Sequence, residues 1–436
     1  MELYKISKYA FLQLLIFLLI LLFLPHFIIS LLDFPYPLNL SELLINYQGG
    51  FIRRGIFGEV ILKIYQIFKI NPLTLLSYIF IFIYLIQIFI FYKLLKKYNK
   101  NYFLLIFILL GPATILFSVY DVNAYMTKDK FVNIAILAHA FFACYFIKKI
   151  DLKNYNLFLI FFLIPIINFN FLMYEPQLLF LGVHILISSY VYQMLSKKSF
   201  FKSKYIYTYL IILIPLFIIA LDSNLSSKIE LIQVSLLKNF PFIYEKFIHE
   251  TVFVSMRELE GNLNLKIGAI MKLFGLFKYS HIEAIMVSFF LSVGLIFVIF
   301  HARLNNYLMN LSKNINFNYL FLLLPCLIVP FIVTDFGRSF NMVSIHFLAF
   351  YLIFPNEFNT KKFTIFKINK IIERYVFSVL LFFYCFFWMM PHAVGWQPIM
   401  NSKNSSLLEE LVNLSKYTYN ITDKYLITLP KAEFMK

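Results

Sequence analysis

The sequence predicts an all-α bundle of transmembrane helices. Three observations carry that expectation. The chain of 436 residues is 61% hydrophobic and 20% aromatic but only 14% charged. A water-soluble fold has too little interior to hide that much apolar surface. The apolar residues also fall into runs long enough to cross a bilayer. Finally, the charges between the runs are distributed unequally.

Eleven spans are expected, at about 10–32, 73–92, 101–119, 131–147, 156–173, 177–195, 205–221, 282–300, 317–333, 341–354 and 375–390. The first is too long for a signal-peptide core and lacks a small-residue cleavage site, so it reads as a retained helix. Prolines 25, 112, 165, 215, 325 and 330 lie within or near spans, where neighbouring helices accommodate kinks. Residues 1–400 form one membrane bundle, and 401–436 form a polar tail. Cys144, Cys326 and Cys385 sit in apolar runs and read as small hydrophobes without a disulfide.

The connections sort into two sets. One set holds the N-terminus and the segments 93–100, 148–153, 197–204, 301–314 and 356–374. It carries 20 of the 39 basic residues and four of the 22 acids. The other set is nearly balanced. The positive-inside rule places the first set in the cytoplasm. The N-terminus is then cytoplasmic and, with eleven spans, the C-terminus lies on the outer side. The net charge of +17 reports topology, not nucleic-acid binding. Loops 33–72 and 222–281 are the large outer ones.

Every unusual polar constellation falls on the outer side. Asn46-Tyr47-Gln48-Gly49-Gly50-Phe51-Ile52-Arg53-Arg54-Gly55 joins glycines to paired arginines. Glycine allows tight turns and close approach to a ligand, and guanidinium is a good partner for phosphate. Arg53, Arg54, Gly49 and Gly50 are therefore candidate binding residues. The competing reading is that they hold lipid headgroups and shape a turn. Downstream, apolar residues recur at helical spacing from Ile56 to Phe68. This predicts an amphipathic helix in the outer interface.

Lys128 and Asp129 abut the fourth span. A carboxylate there can accept a sugar hydroxyl proton and a lysine can neutralise phosphate; a solvated loop is the plain alternative. Glu175, in Met-Tyr-Glu-Pro-Gln, is the lone charge between two long apolar segments. It is a candidate general base, or an acid favoured by a helix N-terminus. Asp335 and Arg338 share a tight hinge, where they pair with each other or serve a site. His139 and His184 lie within spans and read as packed or hydrogen-bonded, and no two histidines share metal-ligand spacing. No metal or cofactor is expected.

The Gly-Gly-Phe-Ile-Arg-Arg-Gly turn, Lys128-Asp129, the lone Glu175 and Asp335-Phe-Gly-Arg338 together resemble bacterial polysaccharide-biosynthesis membrane proteins. That group includes O-antigen and capsule repeat-unit polymerases, which are similar to the GT-C class of membrane glycosyltransferases. The resemblance implies a GT-C-like fold and sugars on undecaprenyl diphosphate as substrate. Membrane lipid and a chain-length regulator protein are the implied partners. Arg53, Arg54, Arg338 and Lys128 would bind diphosphate, and Glu175, Asp129 or Asp335 would be base or orienter. A GT-C enzyme using a lipid-phosphate sugar shares this chemistry. A lipid-linked glycan flippase is the rival from a different class, and an acyltransferase ranks below it.

Overall fold

The computed structural model describes residues 2–32, 37–49, 54–98, 102–120, 125–174, 177–197, 226–243 and 336–353. Short pieces at 200, 203, 205–211, 214, 379, 384–385, 415–416 and 418–420 are also described. Among these residues the structure is helical and contains no strand. The elements are α1 (Glu2–Leu32), α2 (Pro37–Leu44), α3 (Ile56–Phe68), α4 (Pro72–Leu95), α5 (Tyr102–Leu110), α6 (Phe117–Tyr120) and α7 (Asp129–Lys149). They continue with α8 (Leu152–Met173), α9 (Gln177–Ser196), α10 (Ser226–Asn239) and α11 (Phe336–Ile353).

Five of these have the length and apolar character to cross a membrane: Tyr9–Leu32 within α1, α4, α7, α8 and α9. The helix α11 takes in residues 341–353 of the expected span at 341–354, and it is not among the five. The expected spans at 282–300 and 317–333 lie outside the described residues, as do most of 205–221 and 375–390.

Side-chain periodicity explains how the helices pack. In α1, Leu12, Leu15, Leu19 and Phe23 are buried along one stripe, while Leu14, Phe17, Leu18 and Leu21 face outward. In α4, Phe80, Tyr84, Gln87 and Phe91 face inward and Phe82 and Phe89 outward. An outward face this apolar has no stable place in water; lipid supplies the matching solvent. Pro165 in α8 lacks a donor and crowds the preceding turn, and a π turn over Leu159–Leu163 accommodates it.

One expected span differs from its sequence reading. Residues 101–119 are broken at Gly111-Pro112 into α5 and α6. Proline removes a helical donor, which frees carbonyls that must be satisfied in an apolar interior. The Thr114 hydroxyl reaches the Ile108 carbonyl at 2.7 Å and the Gly111 carbonyl at 2.8 Å. Asn341 of α11 donates to Ala113 and Thr114 carbonyls at 3.1 and 2.6 Å. Apolarity alone cannot distinguish this broken segment from a continuous span.

The first loop contains two helices, of which α3 follows the amphipathic pattern. Phe57, Gly58, Ile61 and Leu62 are buried, while Lys63, Ile67 and Phe68 face outward. At 13 residues α3 is too short to cross, and its mixed outward face suits a membrane interface. Gly58 touches the preceding turn, so that a Cβ there would lie 2.0 Å from the Ile45 carbonyl oxygen. Gly58→Ala should therefore destabilise the purified protein by about 1–3 kcal/mol or more, since overpacking meets backbone that cannot yield. Val60→Ala, on the exposed side of the same helix, should stay within about 0.5 kcal/mol. Thermal unfolding in detergent compares the two.

Candidate functional site

The first outer loop builds one wall of the site. Glu59, one turn into α3, accepts from the Tyr47 backbone N–H at 3.1 Å and the Gln48 amide at 3.1 and 3.2 Å. The loop therefore folds back onto its own helix. Burial, with the Glu59 charge adding to it, pushes the Tyr47 phenol up to about 12. Gly49 packs against α10, where a Cβ would meet the Lys228 carbonyl at 2.4 Å. Close packing is thus the requirement at Gly49.

Arg54 is held at several points. Its backbone N–H donates to the Leu172 carbonyl at 3.0 Å, and its own carbonyl accepts from Lys128 Nζ at 3.2 Å. Its guanidinium donates to Glu42 of α2 at 3.1 Å and lies 6.0 Å from the centre of the Tyr174 ring. The backbone adopts φ = 66°, the left-handed region that a side chain makes costly. Such strain persists where surrounding contacts over-determine it, which is a mark of functional loops.

The second wall is the start of α7 against the start of α11. Asp129 is fully buried, and its Oδ1 accepts from Arg338 Nε at 3.2 Å and Nη2 at 3.1 Å. Its Oδ2 accepts from Lys130 Nζ at 2.9 Å. Lys128 and Lys130 are buried too, and Lys130 lies 5.4 Å from the centre of the Phe117 ring. One turn deeper, Asn133 donates to Asn341 at 3.1 Å. The two contacts make α7 and α11 parallel and start them at the same level.

Tyr174 sits between the walls. Burial pushes its phenol well above the ordinary range; Arg338 and Arg54 pull it down, while Asp129 and Glu42 push it up. The phenol therefore stays neutral at physiological pH and can donate to a ligand. Glu42 and Tyr174 were not singled out from sequence. Tyr174 adjoins Glu175 in the same motif, and that adjacency was the available signal.

Among the described residues, four helices begin around this cluster. Arg54 precedes the first residue of α3 by two positions, Lys128 immediately precedes α7, and Arg338 is the third residue of α11. The Gln177 N–H at the start of α9 donates to the Tyr174 carbonyl at 3.1 Å. Helix N-termini carry partial positive charge and unsatisfied N–H groups, so their convergence on buried cations favours an anion.

Of the candidates, Arg54, Lys128, Asp129 and Arg338 thus come together from segments distant in sequence. Gly49 lies in the loop behind Arg54. Gly50, Arg53, Glu175 and Asp335 lie outside the described residues. Comparisons with protein-family models, curated proteins and solved structures found no match.

Removing one partner of a buried ion pair leaves the other charge uncompensated. Arg338→Ala and Asp129→Ala should each destabilise the protein by about 3 kcal/mol or more. The double variant should cost clearly less than the sum. A denaturant-unfolding double-mutant cycle on the purified protein measures that coupling, and additive losses would show the pair to be energetically idle.

Proposed function

We propose that this protein is a membrane glycosyltransferase acting at the outer face, polymerising O-antigen or capsule repeat units from an undecaprenyl-diphosphate-linked oligosaccharide. The observation that carries the reading is the convergence of Arg54, Lys128, Arg338 and four helix N-termini at one end of the bundle. Glycosyl transfer from a lipid diphosphate leaves negative charge on the departing phosphate. Fixed cations and helix dipoles stabilise that charge as it develops. Donor activation already resides in the lipid phosphate, so a nucleotide-sugar pocket is unnecessary. The positive-inside distribution puts this end outside, and α3 lies in the interface beside Arg54, where a lipid-borne substrate would enter.

In this proposal Arg54 and Arg338 grip the diphosphate and Lys128 adds charge. Both oxygens of Asp129 are engaged by cations, so Asp129 is a positioning residue for Arg338. The base that takes the acceptor hydroxyl proton is then Glu175 or Asp335, and Arg53 adds to the clamp. A GT-C enzyme that uses a lipid-phosphate sugar to decorate a glycan would employ the same cations.

Gene deletion in the parent bacterium, followed by electrophoresis of the surface glycan, tests the reading. Polymerase function predicts collapse of the ladder to a single-repeat band. A persistent ladder with altered mobility assigns the decorating reaction, and loss of every repeat band assigns a flippase. In the complemented strain, Arg54→Ala should lower polymer yield by about 100-fold or more at normal protein level, the scale of removing a fixed charge-stabilising donor.

A further inference from the structure

About 12–15 Å below the charged cluster, by helical rise, lies a layer of three buried histidines: His139 on α7, His184 on α9 and His346 on α11. Ionisable side chains are costly within a membrane span and mark functional positions there. His139 Nδ1 lies 3.0 Å from His184 Nδ1, and His139 Nε2 lies 2.9 Å from the Tyr155 hydroxyl. Tyr155 contacts Ser188 Oγ at 3.0 Å, Ser188 contacts the Tyr209 hydroxyl at 2.9 Å, and Tyr209 donates to the His184 carbonyl at 3.4 Å.

Each hydroxyl and ring nitrogen in this chain can donate or accept, and a neutral imidazole carries one N–H, so the chain can run in either sense. In either sense His184 Nε2, as N–H or as lone pair, lies outside it. In His346, Nδ1 faces the Met342 carbonyl at 2.7 Å and must carry the hydrogen, which leaves Nε2 of the neutral ring as a lone pair. Both Nε2 atoms are buried without a hydrogen-bond partner among the described residues. The two rings are 6.2 Å apart and nearly perpendicular, at 84°.

Two turns nearer the charged cluster, Gln177 and Ser339 repeat the pattern. Each precedes its histidine by seven residues, which places it on the same helix face. Gln177 Nε2 and Oε1 and Ser339 Oγ are also buried and unpartnered among the described residues. The contacts of His346 with Phe180 and of Phe350 with Tyr190 show that α9 and α11 run parallel along this line. The unmatched atoms thus form one polar seam. Polar atoms facing an apolar interior call for a partner, and water both donates and accepts without adding charge.

We propose that the α9–α11 seam is hydrated, with water entering beside Gln177 and Ser339 and reaching His184 and His346, so that the histidine layer exchanges protons with solvent at the charged end. The titratable and charged groups around this path are His139, Tyr155 and Tyr209 beside the layer, and Tyr174, Arg54, Lys130, Asp129 and Arg338 above it. Hydration of the seam is independent of glycosyl transfer.

Deuterium exchange at the imidazole Cε1–H positions, read by mass spectrometry on the full chain in lipid nanodiscs, tests it. His184 and His346 should exchange in the folded protein at a rate that Ser339→Leu, which plugs the seam, lowers tenfold or more. Neither ring exchanging while the unfolded chain exchanges fully would overturn the proposal. Unchanged exchange in a Ser339→Leu protein of normal thermal stability would overturn the route. If Ser339→Leu does not fold, Gln177→Leu makes the same test from the other helix.

Discussion

The buried contact between Asp129 and Arg338 is the constraint on which the arrangement of the bundle depends. Neither charge is tolerable alone in an apolar interior, and they lie 209 residues apart in the chain. Their pairing forces α7 and α11 to start together and run in the same direction. That register brings Asn341 beside Asn133 and, on its other side, beside the freed carbonyls of the break between α5 and α6. A charge pair at the end of the bundle is thereby connected to a helix interruption inside it. The break is tolerated because a polar side chain from a neighbouring helix satisfies it.

The same economy of polar groups shapes the loop. Arg54 is fixed through its backbone by α8 and Lys128, and through its side chain by Glu42. A left-handed arginine would relax if only one of these held it. Instead, helices α2, α7 and α8 fix the loop together, so the guanidinium is presented in one place before any ligand arrives. Preorganisation of this kind distinguishes stabilisation of developing charge from simple attraction of counter-ions.

Much of this was legible in the sequence, for identifiable reasons. The first spans follow from hydropathy, and α3 from the spacing of Ile56, Phe57, Ile61 and Tyr65. Arg54, Lys128, Asp129 and Arg338 stood out because charge is rare in this chain. What sequence could not supply was their partners. The union of Asp129 with Arg338, where sequence offered Asp335 as neighbour, is a tertiary fact that no local periodicity encodes. Glu42 looked like any loop acid until α2 brought it to Arg54. Tyr174 looked apolar, although its phenol lies within the field of two arginines and two carboxylates. The break at Gly111 was masked because an apolar segment scores the same whether its helix is whole or interrupted, and Pro112 was the sole local sign.

The histidine layer bears on the choice between transferase and carrier. A carrier that moves a charged headgroup needs ionisable groups along its path that exchange partners as the protein changes state. His139 and His184 instead belong to a closed chain, from His184 through His139, Tyr155, Ser188 and Tyr209 back to the His184 carbonyl. This ring ties α7, α8 and α9 together at mid-depth, and moving any one of them breaks several buried hydrogen bonds at once. Such a bundle is suited to holding a rigid site at its end. The charged cluster lies at the start of α7, α9 and α11, above the ring. Rigidity below and preorganised charge above are what the proposed glycosyl transfer would require, and rocking transport would not.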